Sequence, residues 1–174
     1  ARLGFGREFF VMLSNGGIMN ADYAGKYAVY SLLSGPAGGV VACSQLIGEL
    51  AGEPDMITVD MGGTSYDVAL IRGGKPTVTT ELWVSRYRAA VPMLDIHTIG
   101  AGGGSIAWVD SGGALQVGPR SAGAAPGPAC YGRGGREPTV TDANLLLGFL
   151  DSETFLGGEM KLERGAAERA VEEK

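Results

Sequence analysis

Residues 57–71 read ITVDMGGTSYDVALI: two apolar runs of strand length, joined by a turn that carries an acid, two glycines and two hydroxyls. A plain hairpin needs only a dipeptide such as Asn-Gly at its turn, so the extra groups ask for a second reason. Gly62 and Gly63 can take positive φ and present successive backbone N–H groups, which makes a tight corner into a small concavity for an anion. Thr64 and Ser65 add hydroxyl donors. Asp60, ending its strand, would face the anion and hold a Mg²⁺ through water, because magnesium keeps part of its hydration shell. The set suits the phosphates of a nucleotide; the alternative is a simple hairpin turn with no ligand.

The surrounding chain alternates strands and helices. Residues 9–13 are a short apolar run closed by Ser14-Asn15-Gly16-Gly17, as for a buried strand ending in a turn. Ser34-Gly35-Pro36 opens a helix in which Val40, Cys43, Ile47 and Leu50 or Ala51 recur at helical spacing until Gly52-Glu53-Pro54 stops it. Its first turn, Ala37-Gly38-Gly39, is nearly bare of side chains. Glycines inside a helix cost about 1 kcal/mol each relative to alanine, so another backbone or a ligand is expected close by. Residues 56–60, 66–72 and 76–84 read as a three-strand meander with a two-residue turn at Gly73-Gly74. Residues 105–110 and 114–117 read as a second hairpin. Thr141 is placed to cap a helix over residues 142–150, and an amphipathic helix starts at Glu163.

Glycine supplies 30 of the 174 residues, more than double the usual share of about 7%. The glycines have no collagen period and cluster as GG, GGG and GPG between apolar segments, which favours tight turns and close backbone approach. Hydrophobic residues make up 45% of the chain, enough at this length to bury a core. The net charge is −5, and no Lys/Arg cluster of the kind that tracks a phosphate backbone is present, so nucleic acid is not expected as a partner. A membrane span is not expected either, for want of about eighteen consecutive apolar residues. Cys43 and Cys130 lie far apart in the sequence, a pattern of reduced thiols that makes a cytoplasmic location the expectation.

Three further features carry chemistry. Asp95 and His97 alternate onto one face of a strand; the carboxylate could orient the imidazole as a general base or share a metal with it, or the pair could be structural. The run Gly100-Ala-Gly-Gly-Gly104 resembles a phosphate loop, but it precedes a strand and not a helix, so the dinucleotide-binding reading fails. A close approach beside a ligand through Gly102 and Gly103, or a purely structural turn, remains. Residues 118–138 are rich in Gly, Pro and Arg and too long for an ordinary connection. There Cys130 has Arg120, Arg133 and Arg136 nearby in sequence; such cations could lower a thiol pKa or bind an anion, with a packed cysteine and a solvated loop as the plain alternatives.

The order of small-residue helix, strand, Asp-x-Gly-Gly-Thr-x-x-Asp-Val over residues 60–68, hairpin and glycine loop resembles the second half of the actin, sugar-kinase and heat-shock-chaperone ATPase superfamily. Within it, MLSNGG (12–17), LLSGPAGGVV (32–41), DMGGTSYDVALI (60–71), VPMLDIHTIGAGGGSIAWVD (91–110), VGPRSAGAAPGPACYGRGG (117–135) and PTVTDANLLLGFLD (138–151) resemble the hydantoinase A and 5-oxoprolinase family. Tyr66 stands where that family usually has threonine, and residues around Ala125 also depart from it. The resemblance implies an α/β fold, a ribonuclease-H-like lobe of mixed sheet flanked by helices, present here as a partial domain. Residues 1–54 would be a strand and connecting helix of the preceding lobe, and 55–174 the lobe bearing the second phosphate loop.

In function the resemblance implies ATP-dependent opening of a cyclic amide such as a hydantoin or 5-oxoproline, with phosphorylation of the ring carbonyl oxygen before water attacks. Asp60 with Mg²⁺ and Gly62, Gly63, Thr64 and Ser65 would hold the phosphates, Gly102 and Gly103 would lie beside the nucleotide, and His97 is a second catalytic candidate. No other Asp-x-Gly-x-Thr is present, so an N-terminal lobe of the same polypeptide is expected as partner, with a second hydantoinase-type subunit. The alternatives are the nucleotide-binding subunit of an ATP-dependent ketone carboxylase and a non-catalytic nucleotide-binding or assembly module.

Overall fold

The computed structural model describes residues 6–84 and 86–173, without the side chains of Glu49 and Val84. Contacts divide these into two bodies: one runs up to Asp60 and resumes over Asp67–His97, and the other comprises Met61–Tyr66 with the chain from Thr98 onward. This division is distinct from the 1–54 and 55–174 partition, which concerns lobes of a larger protein. The expected mixed α/β class holds.

The first body opens with β1 (Phe10–Met12) antiparallel to β2 (Ile18–Asn20), after which the Asn20 side chain caps α1 (Ala21–Lys26) by accepting the Tyr23 N–H at 2.8 Å. The long helix is α2 (Ser34–Ala42), a wider π-type turn at Cys43–Ile47, and α3 (Gly48–Ala51), stopped by Gly52 at φ 66 as its sequence foretold. Ala37 and Val40 of this helix pack on Ala69, Ile71 and Leu94, with Cys43 at the rim. Val40, Ile71 and Leu94 each contribute roughly 1.5–3 kcal/mol by their burial there. At the π-type turn the buried Ser44 donates its hydroxyl to the Gly74 carbonyl at 2.8 Å. No backbone approaches the bare first turn: a Cβ on Gly39 would meet nothing within 4 Å, and one on Gly38 only the end of Met12.

The sheet under this helix contains β3 (Met56–Met61), β4 (Tyr66–Arg72) and the short β5 (Lys75–Pro76). Gly73 and Gly74, at φ 55 and 72, form the expected two-residue turn between β4 and β5. The meander does not continue as expected. The Thr77 N–H still donates to the Leu70 carbonyl at 3.0 Å, after which the chain leaves to pair β6 (Val78–Thr79) with β9 (Met93–Leu94). Between those, β7 (Leu82–Val84) and β8 (Tyr87–Ala89) form a separate ribbon. The place beside β4 goes to β10 (Ile96–Ile99), giving the order β10-β4-β3.

In the second body β11 (Ser105–Val109) and β12 (Leu115–Ser121) form the expected antiparallel hairpin, with Trp108 opposite Gln116. Asp110 accepts the Gly112 and Ala114 N–H groups at 2.9 Å each, which, with Gln116, holds its carboxyl below the usual range. α4 (Val140–Leu146) and α5 (Arg164–Glu172) pack around Cys130, Leu145, Leu162 and Ala167. The cap of α4 is Thr139, not Thr141. A bridge to Ile106 holds Thr139 extended, so the helix starts at Val140, and Thr139 and Asp142 exchange the two bonds of a capping box. The helix also stops short of residue 150, because Gly148 turns the chain at φ 81. Among the described residues no helix is long and apolar enough to cross a membrane.

Candidate functional site

The turn after β3 closes on itself: the Gly62 N–H donates to the Ser65 carbonyl at 3.0 Å. Its outward carbonyls are then taken by the glycine loop. Gly103 N–H donates to Gly62 O at 2.9 Å, Gly104 N–H to Gly63 O at 2.6 Å, and Gly102 N–H to Thr64 O at 3.2 Å. Behind the loop, Ser105 N–H donates to Gly102 O at 2.9 Å and Ala122 N–H to Gly104 O at 2.8 Å. The Thr141 N–H and Oγ1 both donate to Gly103 O, at 2.9 and 2.8 Å, fastening the first turn of α4 to the same loop. Helix start, glycine loop and the turn after β3 are thus three stacked layers.

Glycine is required here for reasons that differ between positions. At Gly102 a Cβ would fall 2.6 Å from the backbone of Thr64 and Ser65, so close approach forbids a side chain. Neither Gly62 nor Gly63 lies in the left-handed region that the sequence had them using. A Cβ on Gly63 would meet no atom within 4 Å, so neither turn conformation nor internal packing asks for glycine there. What remains is the space itself. Gly63 and Thr64 line a cleft of about 500 Å³, with Gly103, Gly104 and Thr141 beside them and Tyr131, Leu150 and Phe155 among its apolar walls. That volume is in the range of a small-molecule site. The N–H groups of Gly102 and Gly103, expected beside a nucleotide, are engaged with the turn, and these residues shape the cleft by fixing it.

The cleft's architecture depends on Asp142, which the sequence reading passed over. Its side chain is fully buried, and four donors converge on it: Thr139 N–H at 2.9 Å, Thr139 Oγ1 at 2.7 Å, Cys130 N–H at 2.8 Å and Ala129 N–H at 3.3 Å. The carboxylate ties the 3₁₀ turn at Ala129–Tyr131 to the start of α4. The spacing Thr-x-x-Asp at 139–142 was the signal that could have found it.

Cys130 is buried, and burial together with the neighbouring Asp142 carboxylate pushes its thiol far above the ordinary range. The nearby arginines do not activate it; Arg120 pairs with Glu137 at 2.9 and 3.3 Å. In the folded protein Cys130 should therefore resist thiol-modifying disulfide reagents at pH 8 and react only after denaturation. Stoichiometric labelling of native Cys130 would contradict this placement.

In the first body, Asp60 and the nearly buried Asp67 line a smaller cleft of about 170 Å³ with Pro36 and Gly39 of α2. Asp60 is exposed and has room for a hydrated cation. No three His, Cys, Asp or Glu side chains cluster among the described residues, so a cation here would lean on ligand oxygens and water. His97 Nε2 lies 3.7 Å from Asp95 Oδ1, but its side chain is 81% exposed, in the open for a general base.

A sequence model of the family described as hydantoinase/oxoprolinase matches residues 2–174. The chain is 50% identical over 161 residues to the caprolactamase subunit alpha of Pseudomonas jessenii, covering 92% of this chain and 23% of that protein. It is 47% identical over 150 residues to a 5-oxoprolinase of Pestalotiopsis fici, covering 86% of this chain and 11% of the relative. Among solved structures, the nucleotide-free acetone carboxylase from a study of ATP-dependent acetone carboxylation superposes with a TM-score of 0.81 at 34% identity, over 96% of this chain and 23% of that one. The chain thus spans less than a quarter of the length of each of these relatives.

Proposed function

The chain belongs to the hydantoinase/oxoprolinase family, and from that premise we propose that it supplies a phosphate-holding part of an ATP-dependent cyclic-amide hydrolase. The observation that carries this reading is the turn at Gly62–Thr64, whose carbonyls are held by the glycine loop while Gly63 keeps an open Cβ position on a cleft of nucleotide size. Gly63 and Thr64 would hold phosphate oxygens by N–H and hydroxyl donors. Asp60, the penultimate residue of β3, would carry Mg²⁺ through water. Bound ATP supplies the phosphoryl group that activates the ring carbonyl oxygen. The chain's own task is to position phosphates and neutralise their charge, the main task in phosphoryl transfer. Tyr131, Leu150 and Phe155 would give the cleft apolar walls.

The full-length protein would bring an N-terminal lobe to complete the site and a second subunit to complete the enzyme; one relative is itself named a subunit. A cytoplasmic location, where its two free cysteines stay reduced, belongs to the same reading. In the full-length protein, Thr64→Ala should lower kcat for amide-driven ATP hydrolysis about a hundredfold. A variant turning over at the wild-type rate would remove the turn from the mechanism.

The superposition on acetone carboxylase supports a second reading, an ATP-dependent ketone carboxylase, since activation of a carbonyl oxygen serves both reactions. Full-length protein hydrolysing ATP with 5-oxoproline or caprolactam in bicarbonate-free buffer supports the hydrolase. ATP hydrolysis that requires bicarbonate and a ketone supports the carboxylase.

A further inference from the structure

The walls of the cleft carry chemistry that holding phosphate does not need. Thr141 and Asn144, one helical turn apart on α4, both line it, while Asp142 and Leu145 on the other side of the helix are buried. Thr141 is engaged with the Gly103 carbonyl. Asn144 is half-buried, and its side-chain amide makes no hydrogen bond within the described residues. Its backbone is fixed, because its carbonyl accepts the Phe149 N–H at 2.9 Å and the Leu150 N–H at 3.3 Å. Tyr131 and Phe155, ring centroids 5.7 Å apart at an interplanar angle of 42°, form an aromatic wall of the same cleft. Aromatic faces hold flat rings, and a side-chain amide offers one donor and one acceptor side by side.

We propose that Asn144 is the specificity residue of this cleft, pairing its side-chain amide with the adjacent donor and acceptor on the edge of a planar nitrogen ring held against Tyr131 and Phe155. This rests on the reading of the cleft as the nucleotide and substrate site. Two molecules of that reaction carry such an edge. Adenine presents its 6-amino group beside N7, and a cyclic amide presents its ring N–H beside its carbonyl oxygen.

The test uses the full-length protein with Asn144→Leu, which keeps the size and removes both polar atoms. The variant should fold, because the lost amide has no internal partner; a melting temperature equal to wild type checks this. Loss of a bidentate pair should raise KM about tenfold or more for the molecule that carries the ring, with kcat little changed. If the ring is adenine, KM for ATP rises and the preference for ATP over inosine triphosphate collapses. If it is the cyclic amide, KM for 5-oxoproline, whose five-membered lactam ring is nearly flat, rises while that for ATP holds. Both KM values unchanged, with Thr64→Ala still impaired, would overturn the role of Asn144 and leave the phosphate site standing. Both variants indistinguishable from wild type would overturn the cleft reading as well.

Discussion

Gly102→Val in the full-length protein should abolish amide-driven ATP hydrolysis, a fall of about a thousandfold, and lower the melting temperature. Even the first carbon of the new side chain would lie 2.6 Å from the Thr64 nitrogen and carbonyl carbon and the Ser65 nitrogen. These are backbone atoms, so no change of rotamer relieves the clash, and the loop must withdraw. Withdrawal breaks the bonds from Gly102, Gly103 and Gly104 that hold the carbonyls of Thr64, Gly62 and Gly63. A displacement near 1 Å costs on the order of a hundredfold in rate, and losing aligned donors adds to it. Gly25→Ala is the contrasting control: Gly25 lies within α1, and its Cβ position is open. That change should stabilise by about 0.5 kcal/mol. A Gly102→Val enzyme with normal kcat would refute the layered arrangement.

Asp142→Ala should destabilise the second body by about 3–5 kcal/mol, the cost of removing one member of a buried, fully bonded charge network. The substitution strands the Thr139, Ala129 and Cys130 N–H groups and the Thr139 hydroxyl in a dry interior, and each unmet donor costs about 1–3 kcal/mol. Native-state hydrogen exchange gives the direct readout: protection of the Cys130 amide should fall by roughly a thousandfold. Asp142→Asn keeps the shape but turns an NH₂ group toward donors, so it should fall between alanine and wild type. Unchanged protection in the alanine variant would show that the carboxylate is dispensable.

The features legible in the sequence were those decided locally. Gly52 ends its helix and Gly73-Gly74 makes its turn because only the residues on either side choose the conformation there. The tight turn at residues 62–65 was legible for the same reason, as a short run of glycines and hydroxyls between two strands. Long-range competition hid the rest. The pairing of β5 with β4 ends after Thr77, and nothing near that point says that β10 takes the place beside β4. The choice of Thr139 over Thr141 as cap was made by Ile106, more than thirty residues away. Asp142 was read only as the start of a helix, because its burial depends on amides of a loop that carries no periodicity. The roles of the glycines at 62, 63 and 102 were separable only once their neighbours were in place.

The bonds behind the turn at residues 62–65 also line up through the peptide groups themselves. Ala122 N–H donates to the Gly104 carbonyl, whose peptide partner, the Ser105 N–H, donates to Gly102 O; the Gly103 N–H of that next peptide donates to Gly62 O. The peptide that begins with Gly62 O ends at the Gly63 N–H, on the lining of the cleft. Dipoles linked in series polarise one another, strengthening each bond by roughly 10–30%. Gly63 is therefore the terminus of a polarised series, and its amide proton is more positive than an isolated one. The fold thereby supplies positive character for an anion at a point that carries no lysine or arginine.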